Sequence, residues 1–537
     1  MRDGVVLRAD VYRPDAAGPA PALVLRTPYD RSVSLIPPSG IEPESAVDAG
    51  FALVCQDVRG LYGSHGDFYP FVHEGLDGYD SVEWVAAQPW CDGSVGMVGR
   101  SYAATCQWLA ASERPPHLKA ICPVVTGSDF YRGWVYQGGA FQLGFNLFWA
   151  WMMSDRRGSA KAAELFRHVP LRTVPLPDPK WGRFYFDWLA HPTDDDYWAA
   201  LSINRRYGRI QAPALNVGGW FDVFLGGTLE NFARMRREGG SDAARAGQRL
   251  LVGPWAHGST YGLFPDHSFD VFAPNDSVDF NDTQLRFFGH HLGSARGDDA
   301  APVRIFVMGE NRWRDEDDWP LARARETPWF LRAEGQLERE GPGPEAPDEY
   351  DYDPNDPAPT VGGPTSLPAR MMKSNAGPLD QVRVEARDDV LVYTSAPLEQ
   401  PLEATGPIEL VLHAATSGRD TDFVAKLCDV WPDGRSLILA EGVLRARFRE
   451  GFAREVLVEP HRPYEYRLDL VATSNVFLPG HRIRVAITSS SFPRLDRNAN
   501  TGAPLGADGP DDLRTARQTV FHDADRPSRL LLPVVGG

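Results

Sequence analysis

One serine stands at the apex of a short glycine-containing turn. Residues 96–110 read GMVGRSYAATCQWLA, and Ser101 lies between an apolar run and a run rich in Ala, Leu and Trp that predicts a helix. Strand, sharp turn and helix is the setting of a nucleophile elbow, which presents a serine hydroxyl above a sheet. The next backbone N–H, that of Tyr102, is free at a helix N-terminus to stabilise an oxyanion. Ala103 replaces the last glycine of G-x-S-x-G, so a Gly-Ser turn without catalytic function remains an alternative.

A serine nucleophile requires a base within hydrogen-bond reach and a carboxylate that holds the base in the correct tautomer. In the chain order Ser, acid, His, Asp222 and His257 follow Ser101, and each comes directly after a predicted strand. Asp222 could instead cap the next helix, and His257 could be an ordinary loop histidine. Some competing histidines precede the serine or lie in or near a helical stretch: His65, His73, His267, His290 and His291.

A second oxyanion donor usually comes from the loop that follows an earlier strand. Here that loop reads RTPYDR and lacks the HGGG glycines that would present a backbone N–H. Tyr29 could offer its phenolic hydroxyl in their place.

The elements that would position these residues are predicted by apolar periodicity. Short apolar runs such as PALVLRT and FALVCQ alternate with stretches of helical spacing such as LDGYDSVEWVAAQP. This alternation indicates a mostly parallel sheet covered on both faces. We expect a first core segment over 1–126 and a second over 212–324, where APALNVGGWFDVF and QRLLVGPWAHG carry Asp222 and His257 at strand ends.

Residues 127–211 interrupt this pattern. They are crowded with aromatic residues, contain no evident strand, and include helical stretches such as SAKAAELFRHV and DDDYWAALS. We predict a helical cap inserted over the site, with most of its aromatic residues forming the cap's own core. Residues 325–537 begin with a Pro- and Gly-rich connection and continue as short strand-like runs, which predicts an all-β domain, a sandwich or jelly roll.

Composition narrows the function classes. The net charge of −17 argues against nucleic acid or an anionic membrane as the main partner. The five cysteines are odd in number and widely spaced, which predicts small core residues rather than a disulfide framework or a zinc site. The first residues do not have the pattern of a signal peptide, and no apolar run approaches the length of a membrane span, so we expect a cytoplasmic location.

Several long segments resemble those of the CocE/NonD hydrolases, a family of cocaine esterase-type enzymes, α-amino-acid ester hydrolases and X-Pro dipeptidyl-peptidases. They include MRDGVVLRADVYRPD, DVRGLYGSHGDF, WCDGSVGMVGRSY, GGWFDVF, VGPWAHGS and TDFVAKLCDVWPDGRS. The resemblance implies an α/β-hydrolase core with an inserted helical cap and a C-terminal β jelly roll. It also implies Ser101 as nucleophile, His257 as base, Asp222 as its orienting acid, and the Tyr29 hydroxyl with the Tyr102 N–H as the oxyanion hole.

By the same resemblance, four residues would line the acyl or leaving-group pocket: Trp134, Trp149, Phe224 and Met372. In the amino-acid ester hydrolases a carboxylate cluster holds the substrate ammonium, and candidates for such a cluster here are Asp129, Asp270 and Asp276.

We therefore predict a serine hydrolase that cleaves small carboxylic esters through an acyl-enzyme, with an aromatic or apolar acyl group and no metal or organic cofactor. The first alternative is an X-Pro dipeptidyl-peptidase or a β-lactam or amino-acid acylase, since the same triad serves amides. The second is an inactive hydrolase fold that acts as a binding module. The C-terminal β domain would either close one wall of the cleft or mediate a homodimer.

Overall fold

The computed structural model describes residues 1–15, 18–32, 41–154, 165–293, 300–367 and 376–536. Its helices are α1 Pro43–Asp48, α2 Glu74–Ala86, α3 Tyr102–Ser112, α4 Leu143–Ser154, α5 Pro179–Ala190, α6 Asp196–Leu201, α7 Leu225–Glu238, α8 Asp242–Ala246, α9 Phe280–Leu292 and α10 Val382–Glu385. The first eleven strands are β1 Ala9–Tyr12, β2 Ala20–Thr27, β3 Ala52–Asp57, β4 Cys91–Arg100, β5 Leu118–Val124, β6 Tyr136–Gln137, β7 Ala140–Phe141, β8 Leu215–Phe221, β9 Arg249–Ala256, β10 Val303–Val307 and β11 Arg312–Glu316.

The remaining strands belong to the C-terminal region. They are β12 Ala324–Arg332, β13 Gln336–Glu338, β14 Asp348–Tyr352, β15 Leu391–Thr394, β16 Leu402–Thr416, β17 Asp422–Val430, β18 Ser436–Arg445, β19 Tyr464–Phe477, β20 Arg482–Thr488, β21 Ala516–Phe521 and β22 Arg529–Val535. Within the described residues none of the helices has the length and apolar composition to cross a membrane.

The core sheet has nine strands in the described residues, in the order β1-β3-β2-β4-β5-β8-β9-β10-β11. Its interior neighbours from β3 to β10 pair in parallel, and only the edge strands β1 and β11 pair antiparallel. Alternate residues of β2 join different apolar clusters, Ala22 and Val24 on one face and Leu23 and Leu25 on the other. Both faces are therefore buried, which confirms the predicted covered parallel sheet.

The predicted strand and helix assignments around the site agree with these elements. The helical spacing after residue 73 corresponds to α2, the turn at Ser101 separates β4 from α3, and the stretch after Asp222 becomes α7. All five cysteines are buried, as expected of small core residues.

The described part of the cap contains a hairpin that the sequence pattern did not predict. β6 and β7 form a two-stranded antiparallel hairpin within the region expected to be helical. Gly138 and Gly139 form its turn with φ of +52° and +79°, and a two-residue turn with positive φ at both positions favours Gly-Gly. A Cβ at Gly138 would lie 1.8 Å from the carbonyl oxygen of Val443, so the turn approaches β18 too closely for any side chain.

The other cap predictions have mixed outcomes. DDDYWAALS forms α6, whereas most of SAKAAELFRHV lies outside the described residues. The C-terminal region is β-rich, with eleven strands in one sheet among the described residues. The boundaries at residues 126, 211 and 324 stay predictions.

A buried ion network joins the cap to the β domain. Arg445 donates to both Asp422 oxygens at 2.8 Å and to Asp496 Oδ1 at 2.8 Å. The same Asp496 oxygen accepts the N–H of Phe141 in the cap hairpin at 2.8 Å. These three charged side chains are at most 5% exposed, so each depends on the others for the interactions that replace water.

We expect Asp496→Ala to lower the free energy of unfolding by about 3 kcal/mol, because it leaves Arg445 buried with one fewer counter-charge and the Phe141 N–H without its acceptor. Urea unfolding followed by tryptophan fluorescence measures this loss. Asp511→Ala, which removes an exposed carboxylate of the same domain, is the matched control and should leave the midpoint in place. An Asp496→Ala midpoint equal to the wild-type value would contradict a stabilising role for the network.

Candidate active site

The nucleophile elbow lies between β4 and α3. Ser101 has φ +57° and ψ −120°, a sparsely populated backbone conformation, and its N–H donates to the Val124 carbonyl at 2.8 Å. A Cβ at Gly99 would lie 2.7 Å from the Cβ of Ala103. Gly99 at φ +140° therefore makes room for the alanine that replaces the usual last glycine. The turn keeps its sharp geometry although the motif departs from G-x-S-x-G.

Asp222 and His257 meet Ser101 at the carboxyl ends of neighbouring strands. His257 follows β9, and its Nε2 lies 3.0 Å from Ser101 Oγ. Asp222 follows β8, and its Oδ2 lies 2.9 Å from His257 Nδ1. The side chain of Asp222 is fully buried, while that of His257 keeps 14% exposure. The arrangement can move a proton from the serine to the imidazole while the carboxylate orients the ring.

Asp222 also binds the backbone just before the next helix, although the residue that caps this helix is Phe224. Its second oxygen, Oδ1, accepts the backbone N–H of Phe224 at 2.7 Å, immediately before α7. The Asp222 carboxylate thus accepts from the backbone before α7 with one oxygen and contacts the imidazole with the other. This double attachment restricts rotation of the acid and fixes the orientation of the base.

Tyr29 lies on the loop after β2. Its hydroxyl accepts a hydrogen bond from Trp149 Nε1 at 3.1 Å. Burial raises the pKa of the Tyr29 phenol well above its usual value, although hydrogen bonds with Trp149 and Ser101 act in the opposite direction. The phenol therefore keeps its proton at neutral pH and can donate it as a hydrogen bond beside Ser101.

The backbone N–H of Tyr102 is the second candidate donor. Tyr102 begins α3, so its N–H lies in the first turn, where a helix supplies no acceptor four residues earlier. The positive end of the helix dipole lies at the same point. A developing oxyanion on a carbonyl attacked by Ser101 would therefore meet an N–H and a phenolic O–H.

A series of aromatic ring contacts leads from His257 into the cap. Phe224 lies 5.2 Å from the His257 ring and stacks on Trp134, with ring centroids 4.4 Å apart. The rings of Trp149 and Trp134 are T-shaped, with centroids 6.3 Å apart. Three of the four predicted lining residues are thus brought together beside the base, whereas Met372 lies outside the described residues.

Sequence reasoning missed Phe145. Its ring centroid lies 5.4 Å from that of Phe224 and 6.5 Å from that of His257. The residue belongs to the aromatic-rich stretch that becomes α4. The spacing of aromatic residues along this stretch could not separate rings that face the site from rings of the cap core. Only the packing of α4 against the core assigns Phe145 to the site.

Arg100 lies directly before the nucleophile. Its Nη2 is 3.5 Å from the carbonyl oxygen of Ala256, the residue before His257. Burial lowers the pKa of the Arg100 guanidinium, and the charge of Asp222 acts to raise it. The guanidinium therefore lies beneath the loop that carries the base, where it contributes positive charge near the acid.

The three carboxylates considered for ammonium binding have other environments. Asp129 is buried and accepts from the backbone N–H groups of Tyr131 and Arg132, from Arg132 Nε and from Asn204 Nδ2. Asp270 is exposed and accepts from Asn311, and Asp276 is exposed in a short 3₁₀ turn. The structure does not bring these three carboxylates into one cluster.

Comparisons with known proteins find similarity over nearly the whole chain. Residues 3–259 match the X-Pro dipeptidyl-peptidase (S15) family, and residues 295–531 match the C-terminal non-catalytic domain of X-Pro dipeptidyl-peptidases. Cocaine esterase of Rhodococcus sp. (strain MB1 Bresler) is 38% identical over 572 residues, which cover 100% of this chain and 97% of the relative.

Two solved structures have the same fold over nearly their full lengths. An aminopeptidase from a marine-sediment Thaumarchaeota archaeon has a TM-score of 0.88 and 28% identity, with 100% of this chain and 95% of that chain covered. A selenomethionine-labelled α-amino acid ester hydrolase has a TM-score of 0.85 and 27% identity, with 99% and 95% covered. Together these similarities confirm an α/β-hydrolase-type core followed by a β-rich domain.

Proposed function

Because the chain belongs to the CocE/NonD family of serine hydrolases, we propose that Ser101, Asp222 and His257 are its catalytic triad. The protein is a serine ester hydrolase. The observation that carries the residue assignment is the continuous line of hydrogen bonds from Asp222 through His257 to Ser101, at 2.9 and 3.0 Å. Nucleophile, base and orienting acid within hydrogen-bond reach are what acyl transfer to a serine requires.

In the proposed reaction His257 Nε2 removes the proton of Ser101 while Oγ attacks the ester carbonyl carbon. The Tyr29 hydroxyl and the Tyr102 N–H hold the resulting oxyanion. When the tetrahedral intermediate collapses, the bond to the alkoxy oxygen breaks and His257 protonates the leaving alcohol. Water, deprotonated by His257, then attacks the acyl-Ser101 ester and releases the carboxylic acid with the free enzyme.

The acyl group that we propose is aromatic or apolar. Trp134, Phe224 and Phe145 form adjoining ring surfaces beside His257, and aromatic walls favour flat apolar groups by area and by ring–ring contact. Phe145, at 9% exposed, presents the most surface, and Trp134 and Phe224, each 1% exposed, pack against it. A charged acyl group would lose its hydration against this surface without a counter-charge from these three rings.

The surroundings of Asp129 argue against this carboxylate as a binding site for a free α-amino group. An ammonium needs a carboxylate oxygen with room to accept it, and both oxygens of Asp129 already accept from neighbouring groups, including the guanidinium of Arg132 at 2.9 Å. The amide-cleaving alternative, an X-Pro dipeptidyl-peptidase or an amino-acid acylase, rests on the likeness to the archaeal aminopeptidase and to the α-amino acid ester hydrolase.

A paired hydrolysis assay separates these alternatives. We expect turnover of p-nitrophenyl phenylacetate with a kcat/KM about 10-fold or more above that of p-nitrophenyl acetate, since a buried aromatic ring adds roughly 1.5–3 kcal/mol of binding. An X-Pro p-nitroanilide and an alanine p-nitroanilide should turn over far more slowly. Anilide hydrolysis at a rate comparable with ester hydrolysis would instead assign the protein to the peptidase branch.

We also propose a fold and a role for the C-terminal β domain. A jelly-roll fold for residues 325–537 is supported by the antiparallel pairing of most of its long strands. The β domain closing one wall of the cleft is supported by Leu470, Val471 and Arg494, which line a small cavity together with Asp222. A homodimer and a cytoplasmic location remain predictions from the sequence.

A further inference from the structure

A buried ion pair lies between the strand that leads to Tyr29 and the side chain of Tyr102. Arg26 lies in β2, three residues before Tyr29, and Glu74 begins α2. Arg26 Nη1 is 2.9 Å from Glu74 Oε2, and the two side chains are 0% and 2% exposed. The pair therefore lies beneath the site, on the side of the sheet where α2 and α3 pack.

The side chain of Tyr102 reaches this pair. Its hydroxyl donates to Glu74 Oε1 at 3.0 Å and accepts the N–H of Phe71 at 3.0 Å. Its ring stacks between Phe71, at 5.6 Å, and Trp149, at 5.8 Å. Burial, with the charge of Glu74, raises the pKa of the Tyr102 phenol far above its usual value, so the hydroxyl stays a donor. Tyr102, whose backbone N–H is the candidate oxyanion donor, is thus anchored through its phenolic hydroxyl.

Arg26 is held as firmly as Glu74. Its Nη1 also donates to the backbone oxygen of Glu74 at 3.0 Å, and its Nε donates to Gln56 Oε1 at 2.9 Å. Its Nη2 lies 4.0 Å from Asp77 Oδ2. Arg26 therefore ties the end of β2, from which the loop to Tyr29 departs, to the first turn of α2.

We propose that the Arg26–Glu74 ion pair sets the position of the Tyr102 N–H relative to the Tyr29 hydroxyl, so that Arg26, Glu74 and the Tyr102 phenol are positioning groups for the oxyanion hole. This inference rests on the proposed serine hydrolase function. Stabilisation of an oxyanion requires donors fixed at about 2.7–3.1 Å from the charge, and small displacements of catalytic groups cost large factors in rate.

The energetics of buried charge favour positioning over simple stabilisation. Removing both charges from water costs about as much as their attraction returns, so a buried ion pair contributes little net stability. What it does provide is directional: Arg26 donates to Gln56 and to the backbone oxygen of Glu74, and one Glu74 oxygen accepts from the Tyr102 hydroxyl, which restricts how β2, α2 and α3 can shift relative to one another. A shift of α3 would move the Tyr102 N–H.

Tyr102→Phe is the first test, because it removes the phenolic hydroxyl while the ring and the backbone N–H remain. We expect kcat for p-nitrophenyl phenylacetate to fall about 10-fold with KM within about twofold, as for a group that acts only on the transition state. The rate at which a fluorophosphonate probe labels Ser101 should fall by the same factor, since that reaction uses the same oxyanion donors and no ester substrate. Tyr207→Phe is the matched control, because it removes a buried tyrosine hydroxyl that donates to Asn231 at 2.8 Å instead.

Glu74→Gln and the double variant that combines it with Tyr102→Phe test whether the Tyr102 hydroxyl affects the rate through Glu74. Glu74→Gln should lower kcat and the labelling rate by about 10-fold or more, and the double variant should be no slower than the slower single variant, because both changes interrupt one connection. Glu74→Asp, which keeps the charge, should recover part of the loss. Tyr102→Phe with a wild-type labelling rate, or Tyr207→Phe with an equal loss, would overturn the inference. If the wild type did not hydrolyse the ester but Ser101 were labelled rapidly, the result would contradict the proposed substrate class alone.

Discussion

Replacing Ser101 by alanine is expected to lower kcat/KM for p-nitrophenyl phenylacetate by about 10⁴- to 10⁶-fold, as removal of a triad nucleophile does in other serine hydrolases. His257 Nε2 faces Ser101 Oγ at 3.0 Å, so the alanine leaves the base without its proton donor and the substrate without its nucleophile. Residual turnover should reflect only binding and oxyanion stabilisation of attack by water.

The control for this loss is Ser112→Ala. Ser112 ends α3, the helix that Tyr102 begins, and its buried hydroxyl donates within the helix to the Leu109 carbonyl at 2.7 Å. Ser112→Ala should keep wild-type kinetics, and both variants should keep the wild-type circular dichroism spectrum. Fluorophosphonate should label the wild type and Ser112→Ala and leave Ser101→Ala unmodified. Ester turnover that survives in folded Ser101→Ala would rule out Ser101 as the nucleophile.

The second large effect is expected from Tyr29→Phe, which should lower kcat by about 10²- to 10³-fold while KM changes little. The phenylalanine keeps the ring but removes the O–H that would face the oxyanion. Trp149 Nε1 donates to the Tyr29 oxygen at 3.1 Å, and this bond occupies a lone pair so that the hydroxyl proton is directed elsewhere. The loss is confined to the transition state because a ground-state ester carbonyl carries little charge.

Tyr350→Phe is the matched control for this prediction. Tyr350 is a buried tyrosine of the β domain whose hydroxyl is 2.9 Å from Ser489 Oγ, so its removal costs a comparable hydrogen bond away from the triad. Stopped-flow measurement of acylation and deacylation should show both steps slowed in Tyr29→Phe, because each passes through an oxyanion. Unchanged acylation in Tyr29→Phe would show that the Tyr29 hydroxyl is not an oxyanion donor.

Local patterns were sufficient for the elements that carry the proposed triad. An apolar run followed by a run rich in Ala, Leu and Trp predicted β4 and α3 on either side of Ser101, and later apolar runs placed Asp222 and His257 after β8 and β9. Parallel strands bring their carboxyl ends to one edge of a sheet. Residues 121 and 156 positions away from the serine could therefore be expected beside it before any contact was known.

Other features depend on contacts that local pattern does not encode. The Gly138–Gly139 hairpin occurs in a region that shows no strand run, and its fit depends on the close approach of Val443 in a distant strand. Phe145 contacts His257, whereas Trp149 on the same helix contacts Tyr29 and Trp134. Aromatic content predicts burial, but which ring faces the site is decided by how the helix lies on the core.

By itself, the sequence determined the fold class, the order of the core elements and the three residues of the proposed triad, because periodicity and strand-end position are local properties. The tertiary structure alone decided the buried Arg26–Glu74 pair beside Tyr102, which we propose positions the candidate oxyanion donors. Arg26 and Glu74 are 48 positions apart and meet only when α2 packs on β2. Neither residue type nor spacing marks such a pair, since a buried salt bridge between distant elements exists only after the sheet and its helices have assembled.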